Sequence, residues 1–363
     1  MNTIAGCQIP FTGIQRQYNN LRTEILDATD QVLRSGIVMS GEYTNLFETW
    51  LAKKNNQRYA VTCHSGTQAL EIIAAYYAEE QSINPPRVIL PALTFPATAN
   101  AWSRAGWEID LVDTDAYGQI NYEKIDRTRS RQAICVVGLY GQAIKDDTAY
   151  YYSDYVIEDG AQHWLADGCK RRSKATAISF DPTKNLANYG NGGAIVTMDS
   201  HLATFARDWT THGKKTNHCR AGSNSRMSEV DCAQMMVKTR CIKYWQQRRR
   251  EIAWDWMTRL DNSPVRSLID HTNFDTHCYH KFVIEVDNRD RLADRLKRCG
   301  IETKVHYAEP LWTLPAYQTC HSSERFFSCA ESLSKRCLSL PIYPELSDSE
   351  VEYIIDQVLD CVL

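Results

Sequence analysis

Between residues 59 and 198, short apolar runs alternate with segments whose apolar positions recur at helical spacing. "YAVTCHSG" leads into "TQALEIIAAYYAEE" and "RVILPALTF" into "PATANAWSRAG"; "EIDLVDTD", "AICVVGLYG", "DYVIEDGAQ", "ATAISFD" and "GGAIVTMD" follow. Apolar runs separated in this way predict a large, mostly parallel seven-stranded sheet with helices on both faces. In such α/β sheets ligands sit beyond the carboxyl ends of the strands. Those ends read "HSGT", "LTFPAT", "EDGAQ" and "SFDPTK", so four candidate positions converge on one crevice.

Farther along, "SRMSEVDCAQMMVKTRCIKYWQQRRREIAWDWMTRL" is amphipathic at helical spacing and predicts one long helical spine out of the first unit. The strand-like "CYHKFVIEV" and "IETKVHY" and the helix-like "NRDRLADRLKRCG", "SERFFSCAESLSKRC" and "SDSEVEYIIDQVLD" predict a smaller C-terminal α/β unit. Ser347 or Ser349 starts its last helix before an acidic first turn. A chain of 363 residues exceeds what one core usually fills. Two domains are therefore expected: residues 1–240, with an N-terminal helical arm, and residues 241–363.

Charge narrows the partners. The formal net charge is -3 with both signs scattered, so no basic stripe points to nucleic acid. No window approaches the roughly 18 to 20 apolar residues of a membrane span, and "MNTIAGCQIPFTGIQ" lacks the pattern of an export signal. The 13 cysteines, from Cys7 through Cys169 to Cys361, form no C-x-x-C pair or regular framework. A soluble protein of the reducing cytoplasm is expected.

The crevice residues carry the chemistry. Lys184 follows a strand and a turn set by Pro182, where desolvation and nearby cations lower an ammonium from about 10.4 toward nucleophilic values. It is either a Schiff-base lysine or a solvated surface charge. The first reading requires a pyridoxal phosphate, and with it an acid at the pyridine nitrogen, a phosphate cradle and a flat partner for the ring. Asp159 ends "YVIED", where a carboxylate is costly to bury without a cation; capping or ion pairing is the alternative. Ser65, Gly66 and Thr67 stand at a strand-to-helix turn that suits an anion or simply caps a helix. Ser179 adds a hydroxyl, and Phe95 an aromatic face that serves either a ring or the core. Gly190, Gly192 and Gly193 read as packing devices.

Taken together, "CHSGTQAL", "LPALTFPATANAWSRAG", "GLYGQ", "VIEDGAQ", "ISFDPTKNLANYGNGGAIVT" and "SNSRMSEVDCAQMMVK" resemble the DegT/DnrJ/EryC1/StrS family. The resemblance runs from about Gly13 to "LSLPIYPELSDSEVEYI" near the C-terminus. It implies a fold-type I, pyridoxal-phosphate-dependent (PLP/PMP) sugar aminotransferase. In that reading Lys184 carries the cofactor, Asp159 pairs with its pyridine nitrogen, Gln162 lies near its ring oxygen and Phe95 stacks on it. Ser65, Gly66, Thr67 and Ser179 hold the phosphate, with Asn224 reaching in from the second subunit of a homodimer. The resemblance also implies an amino-acid donor, L-glutamate, and a nucleotide-sugar acceptor. Lys214, Lys215, Arg220 and Arg226 offer cations to its diphosphate, and His306 and Tyr307 are candidate sugar contacts.

Several positions depart from the family pattern. Asp181 replaces an aromatic residue or histidine before "PTK", Gly160 replaces an alanine, and His163 and Trp164 replace smaller residues. "AYYYSD" (149–154) shortens a helix. Bulk at Trp164 and that shortening are expected to reshape the acceptor pocket. "HCYH" (His277, Cys278, His280) has metal-ligating residue types but opens a strand without a zinc spacing, so no metal is expected. A dehydratase on the same cofactor, or a binding or regulatory protein on the same fold, remains open at this level; Lys184 argues against the first.

Overall fold

The computed structural model describes residues 8–80, 86–126, 132–144, 148–166, 173–322 and 326–362. Cys7, Cys169 and the start of the N-terminal segment lie outside the described residues. The eleven described cysteines are free thiols.

Seven strands form the large sheet: β1 (Tyr59–Cys63), β2 (Arg87–Pro91), β3 (Glu108–Val112), β4 (Ala133–Val137), β5 (Val156–Asp159), β6 (Ala175–Ser179) and β7 (Gly193–Thr197). Their order is β1-β7-β6-β5-β4-β2-β3. The pairs from β3 to β6 are parallel, and β7 alone runs against its neighbours β1 and β6. Around them lie α1 (Ile14–Ser35), α2 (Glu42–Lys54), α3 (Gly66–Glu80), α4 (Pro96–Arg104), the single-turn α5 (Ala149–Tyr152), α6 (Ser200–Trp209) and α7 (Glu229–Thr239).

Strand alternation explains the layering. Ala175, Ala177 and Ile195 share a core with Leu70 and Ile73 of α3, Trp102 of α4 and Phe205 of α6. Ile178, Ala194 and Val196, one residue out of phase, pack with Phe47 and Leu51 of α2 and Cys232 and Met235 of α7. Both faces are apolar because both are covered.

The predicted single spine is instead two helices, α7 and α8 (Ile242–Leu260). Thr239 closes α7 by turning its Oγ1 back onto the Met236 carbonyl (2.7 Å), a polar contact that competes with helix continuation. A capping box of Ser228 and Asp231 starts α7.

Beyond α8, β8 (Arg266–Ser267), β9 (Phe282–Glu285) and β10 (Cys337–Leu340) form an antiparallel sheet in the order β10-β9-β8. It packs with α9 (Arg289–Arg298), α10 (Ser328–Arg336) and α11 (Asp348–Val362). Ser347 is the residue that starts α11: its Oγ accepts from Glu350 N (3.2 Å) while Glu350 Oε2 accepts from Ser347 N (2.9 Å). "IETKVHY" is not a strand. It makes only single bridges, Ile301 with Ile9 and Lys304 with Ser339, and then leaves the sheet so that His306 and Tyr307 reach the crevice.

Candidate active site

The strand ends of the large sheet converge as expected. Ser65, Gly66 and Thr67 after β1, Phe95 after β2, Asp159 and Gln162 at the end of β5, and Ser179 and Lys184 after β6 line one cavity of about 360 Å³. His280, Lys281, His306 and Tyr307 close it from the smaller sheet's side.

Asp159 is buried, and its carboxylate is held from two directions. Thr98 Oγ1 donates to Oδ2 (2.7 Å) and Ala161 N donates to Oδ1 (3.1 Å). No cation among the described residues forms an ion pair with it; hydrogen-bond donors hold it, and Lys184 is near enough to feel its charge. Thr98 was not identified from sequence. Its signal was the Thr94/Thr98 pair at i, i+4 in "TFPAT", which brings a hydroxyl from just before the N-cap and one from the first turn of α4 within 3.1 Å of each other.

Lys184 emerges from a turn built by Asp181. The Asp181 carboxylate accepts from Thr183 N (2.9 Å) and Thr183 Oγ1 (2.6 Å), and its carbonyl accepts from Lys184 N (2.9 Å). Asn185 then ties the chain to the Cys278 carbonyl (2.7 Å). Burial pushes the Lys184 ammonium below the ordinary lysine value, opposed by Asp159 and then Asp181. Both carboxylates are therefore close enough to matter electrostatically.

Gln162 links the site to the backbone: Oε1 accepts from Tyr140 N (2.8 Å) and Nε2 donates to Tyr307 Oη (3.0 Å). Tyr140, in a positive-φ conformation (φ 65), donates its own hydroxyl to the His306 carbonyl (2.7 Å). This bracing was not read from sequence; the glycines of "GLYG" were its only sign. Phe95 is half exposed at the N-terminus of α4, its ring 5.6 Å from that of Tyr307.

The start of α3 and Ser179 form a candidate anion cradle in the same cavity. Ser65 Oγ accepts from Gln68 N (3.1 Å) at the start of α3, a helix terminus whose first-turn N–H groups have no intrahelical partner. A Cβ on Gly66 would lie 2.7 Å from Ser179 Cβ, and one on Gly193 would run into the Ser65 carbonyl. These glycines let β7 press the start of α3 against Ser179. A Cβ on Gly192 would lie 3.2 Å from both Phe180 Cβ and Met227 Cε, whereas one on Gly190 would make only an ordinary contact with Asn188 Nδ2 (3.9 Å). Gly193→Ala is expected to destabilise the fold by roughly 1–3 kcal/mol and weaken binding at the cradle, checked by thermal unfolding and phosphate affinity; an unchanged midpoint would remove the close-approach argument.

Other predicted residues lie elsewhere. Asn224, Lys214 and Lys215 are exposed on a loop outside the cavity. Arg220 stacks over Phe205 (4.2 Å) and faces Glu79 (3.6 Å) and Asp208 (3.9 Å), so it anchors that loop. Arg226 contacts Ser40 Oγ (3.4 Å). Trp164 does not reshape the pocket: it is buried against Trp50 and Phe180 (ring centroids 6.2 and 6.0 Å). Nor do 149–154 line the cavity. His163 sits beneath the site, its Nδ1 accepting from Gly138 N (3.2 Å) and its Nε2 facing Glu158 (3.3 Å). Gly160 is required because a Cβ there would meet Thr176 Cγ2 at 2.6 Å. His277 Nδ1 accepts from Tyr279 N (2.9 Å), and burial pushes its pKa down to about 3.

Comparison with known proteins identifies the family. The chain is 32% identical to a pleiotropic regulatory protein of Geobacillus stearothermophilus (97% of this chain, 98% of the relative). It is 31% identical to the dTDP-3-amino-3,4,6-trideoxy-alpha-D-glucose transaminase of Streptomyces venezuelae (97% and 95%). The crystal structure of S. venezuelae DesV in complex with a ketimine intermediate superposes with a TM-score of 0.90 at 29% identity, covering 97% of this chain and 98% of that one. Residues 19–359 match the model of the DegT/DnrJ/EryC1/StrS aminotransferase family, and the chain belongs to that family.

Proposed function

We propose that this protein transfers an amino group from an amino acid, L-glutamate, to the keto group of a nucleotide-activated sugar. The carrying observation is that Lys184 and Asp159, from neighbouring strands, line one cavity with an anion cradle at Ser65–Thr67 and Ser179. The transaminase named among its relatives supports the sugar substrate.

The cofactor is pyridoxal 5′-phosphate, interconverting with its pyridoxamine form, and the residues present fit it. Asp159 is a buried carboxylate without an ion-pair partner among the described residues, and it shares one cavity of about 360 Å³ with Lys184, Ser65, Gly66, Thr67 and Ser179. When bound, the cofactor supplies a sink for the electrons left as a proton departs the amine-bearing carbon. Lys184 is the residue for its covalent attachment and moves the proton at that carbon. Asp159 would keep the pyridine nitrogen protonated, with Thr98 orienting the carboxylate. Phe95 and Gln162 would hold the ring, and His306 and Tyr307 would be available to the sugar. Purified holoenzyme should lose the visible absorption of lysine-bound cofactor on adding L-glutamate and regain it with a nucleotide-linked keto sugar. A band indifferent to every amino acid would defeat this reading and favour a regulatory role.

We further propose a cytoplasmic homodimer in which Asn224 completes the neighbouring subunit's phosphate site. Leu33, Ile37 and Val38, at and just beyond the end of α1, are 60%, 59% and 45% exposed, an apolar strip suited to a second copy. Lys214 and Lys215 share the Asn224 loop and would meet the diphosphate there. The division near residue 240 is supported by the break between α7 and α8. No helix among the described residues is long and apolar enough to cross a membrane. Asn224→Ala should raise the cofactor dissociation constant about tenfold, the loss of one hydrogen bond to a charged group; equilibrium dialysis showing unchanged retention would remove the shared-site role.

A further inference from the structure

An amino-acid donor differs from a keto sugar in one respect at the reacting carbon: it carries a carboxylate bonded directly to it. A site that accepts both must meet that charge beside Lys184. Several cationic groups lie near this part of the cavity, but most are already committed. Arg249 donates to the Tyr279 (3.1 Å) and Ile342 (2.7 Å) carbonyls. Lys304 is half exposed and faces Glu302 (3.8 Å). His306 is held neutral, its pKa pushed down to about 2 by burial and then by Lys281, Lys184 and Lys304. Burial, then Lys281, Lys184 and Arg249, lower His280 as well.

Lys281 is different. It is 5% exposed, yet its side chain forms part of the wall of the main cavity and of a smaller one behind Lys184. Its Nζ lies 4.8 Å from the Phe11 ring centroid and has no hydrogen-bond or ion-pair partner among the described residues. Its backbone is fixed, with Lys281 N donating to the Tyr140 carbonyl (3.0 Å) and β9 starting at the next residue. Burial, followed by Lys184, Arg249 and Lys304, pushes its ammonium well below the ordinary lysine value, and Asp181 opposes them. An arriving carboxylate relieves that repulsion and satisfies a buried donor.

We propose that Lys281 binds the α-carboxylate of the amino donor. The proposal rests on the aminotransferase reading and adds the residue that admits an anionic amino acid to a site that also takes a sugar. In that reading the cofactor's phosphate is served by the α3 turn and Ser179, which leaves Lys281 for a substrate group.

The test compares Lys281→Met, which keeps length and removes charge, with Lys281→Arg, which keeps charge. Binding of 2-oxoglutarate to the pyridoxamine-form holoenzyme is measured by calorimetry, and the donor half-reaction with L-glutamate is followed by cofactor absorbance. In Lys281→Met both the dissociation constant and the half-saturating glutamate concentration should rise roughly 10- to 100-fold, with the cofactor band and melting temperature retained. Lys281→Arg should recover most of the loss. Reaction with n-propylamine, which has no carboxylate, should be the same in wild type and Lys281→Met. Unchanged glutamate affinity in Lys281→Met, or an equal loss toward propylamine, would overturn the assignment. So would weakening confined to a nucleotide-linked hexuronate, which would place the carboxylate on the acceptor. A wild-type enzyme that reacts with no amino acid would instead bring down the aminotransferase reading, and this proposal with it.

Discussion

Lys184→Ala should lose turnover by at least about 10⁴-fold, because one side chain supplies both the covalent attachment and the proton transfer. The fold should survive. The turn before Lys184 is held by Asp181 and Thr183, and the chain after it by Asn185 and by Asn188, whose Nδ2 donates to the Asn191 carbonyl (2.8 Å) and Asp231 (2.9 Å). None of those bonds uses the lysine ammonium. Removing a buried ammonium whose protonation is already disfavoured by burial also relieves a desolvation cost. The expected variant is therefore folded, binds cofactor through the anion cradle, and lacks the absorption of the lysine-bound form. Single-turnover assays with L-glutamate check this, and turnover within tenfold of wild type would reject Lys184 as the reacting amine.

Much of this geometry was legible in the sequence because strands announce their own ends. "YVIED" and "ATAISFD" are apolar until a polar residue appears, and in a sheet covered on both faces that residue must stand at the crevice. Asp159, Ser179 and Lys184 were found in this way. The residues that brace them were hidden, since their roles come from contacts between elements distant in the chain. Thr98 meets Asp159 across 61 positions and Tyr140 meets the His306 carbonyl across 166; no local period reports such pairings. Trp164 misled for a related reason. Its size was legible but its direction was not, and a tight turn at Gly160 sends it into the core beneath the sheet. "IETKVHY" has strand-like composition, yet only two of its residues find bridge partners, because tertiary pairing decides strand formation more than composition does. Lys281 was passed over inside "HCYHK", where the histidines drew attention to metal chemistry.

Asp159→Asn should reduce kcat by roughly 10²- to 10³-fold, the scale on which loss of one preorganised electrostatic contact slows an enzyme. An amide cannot keep a pyridine nitrogen protonated as a carboxylate does, so the cost falls on the proton-transfer step and leaves substrate affinity nearly unchanged. Cofactor attachment at Lys184 should persist, with an altered visible spectrum. Stability separates this role from a structural one. In the cofactor-free protein Asp159 is a buried negative charge held by hydrogen-bond donors, without an ion-pair partner among the described residues, and the asparagine keeps an oxygen to accept from Thr98 while removing that charge. The cofactor-free variant should thus melt at the same temperature as wild type or higher, even as the loaded enzyme is crippled. Thr98→Val should show a milder kcat loss of the same kind, because the carboxylate remains but loses its closest donor. If Asp159→Asn instead unfolds the cofactor-free protein, or leaves kcat intact, the carboxylate is a fold-stabilising group and the assignment of the cavity's polar end is wrong.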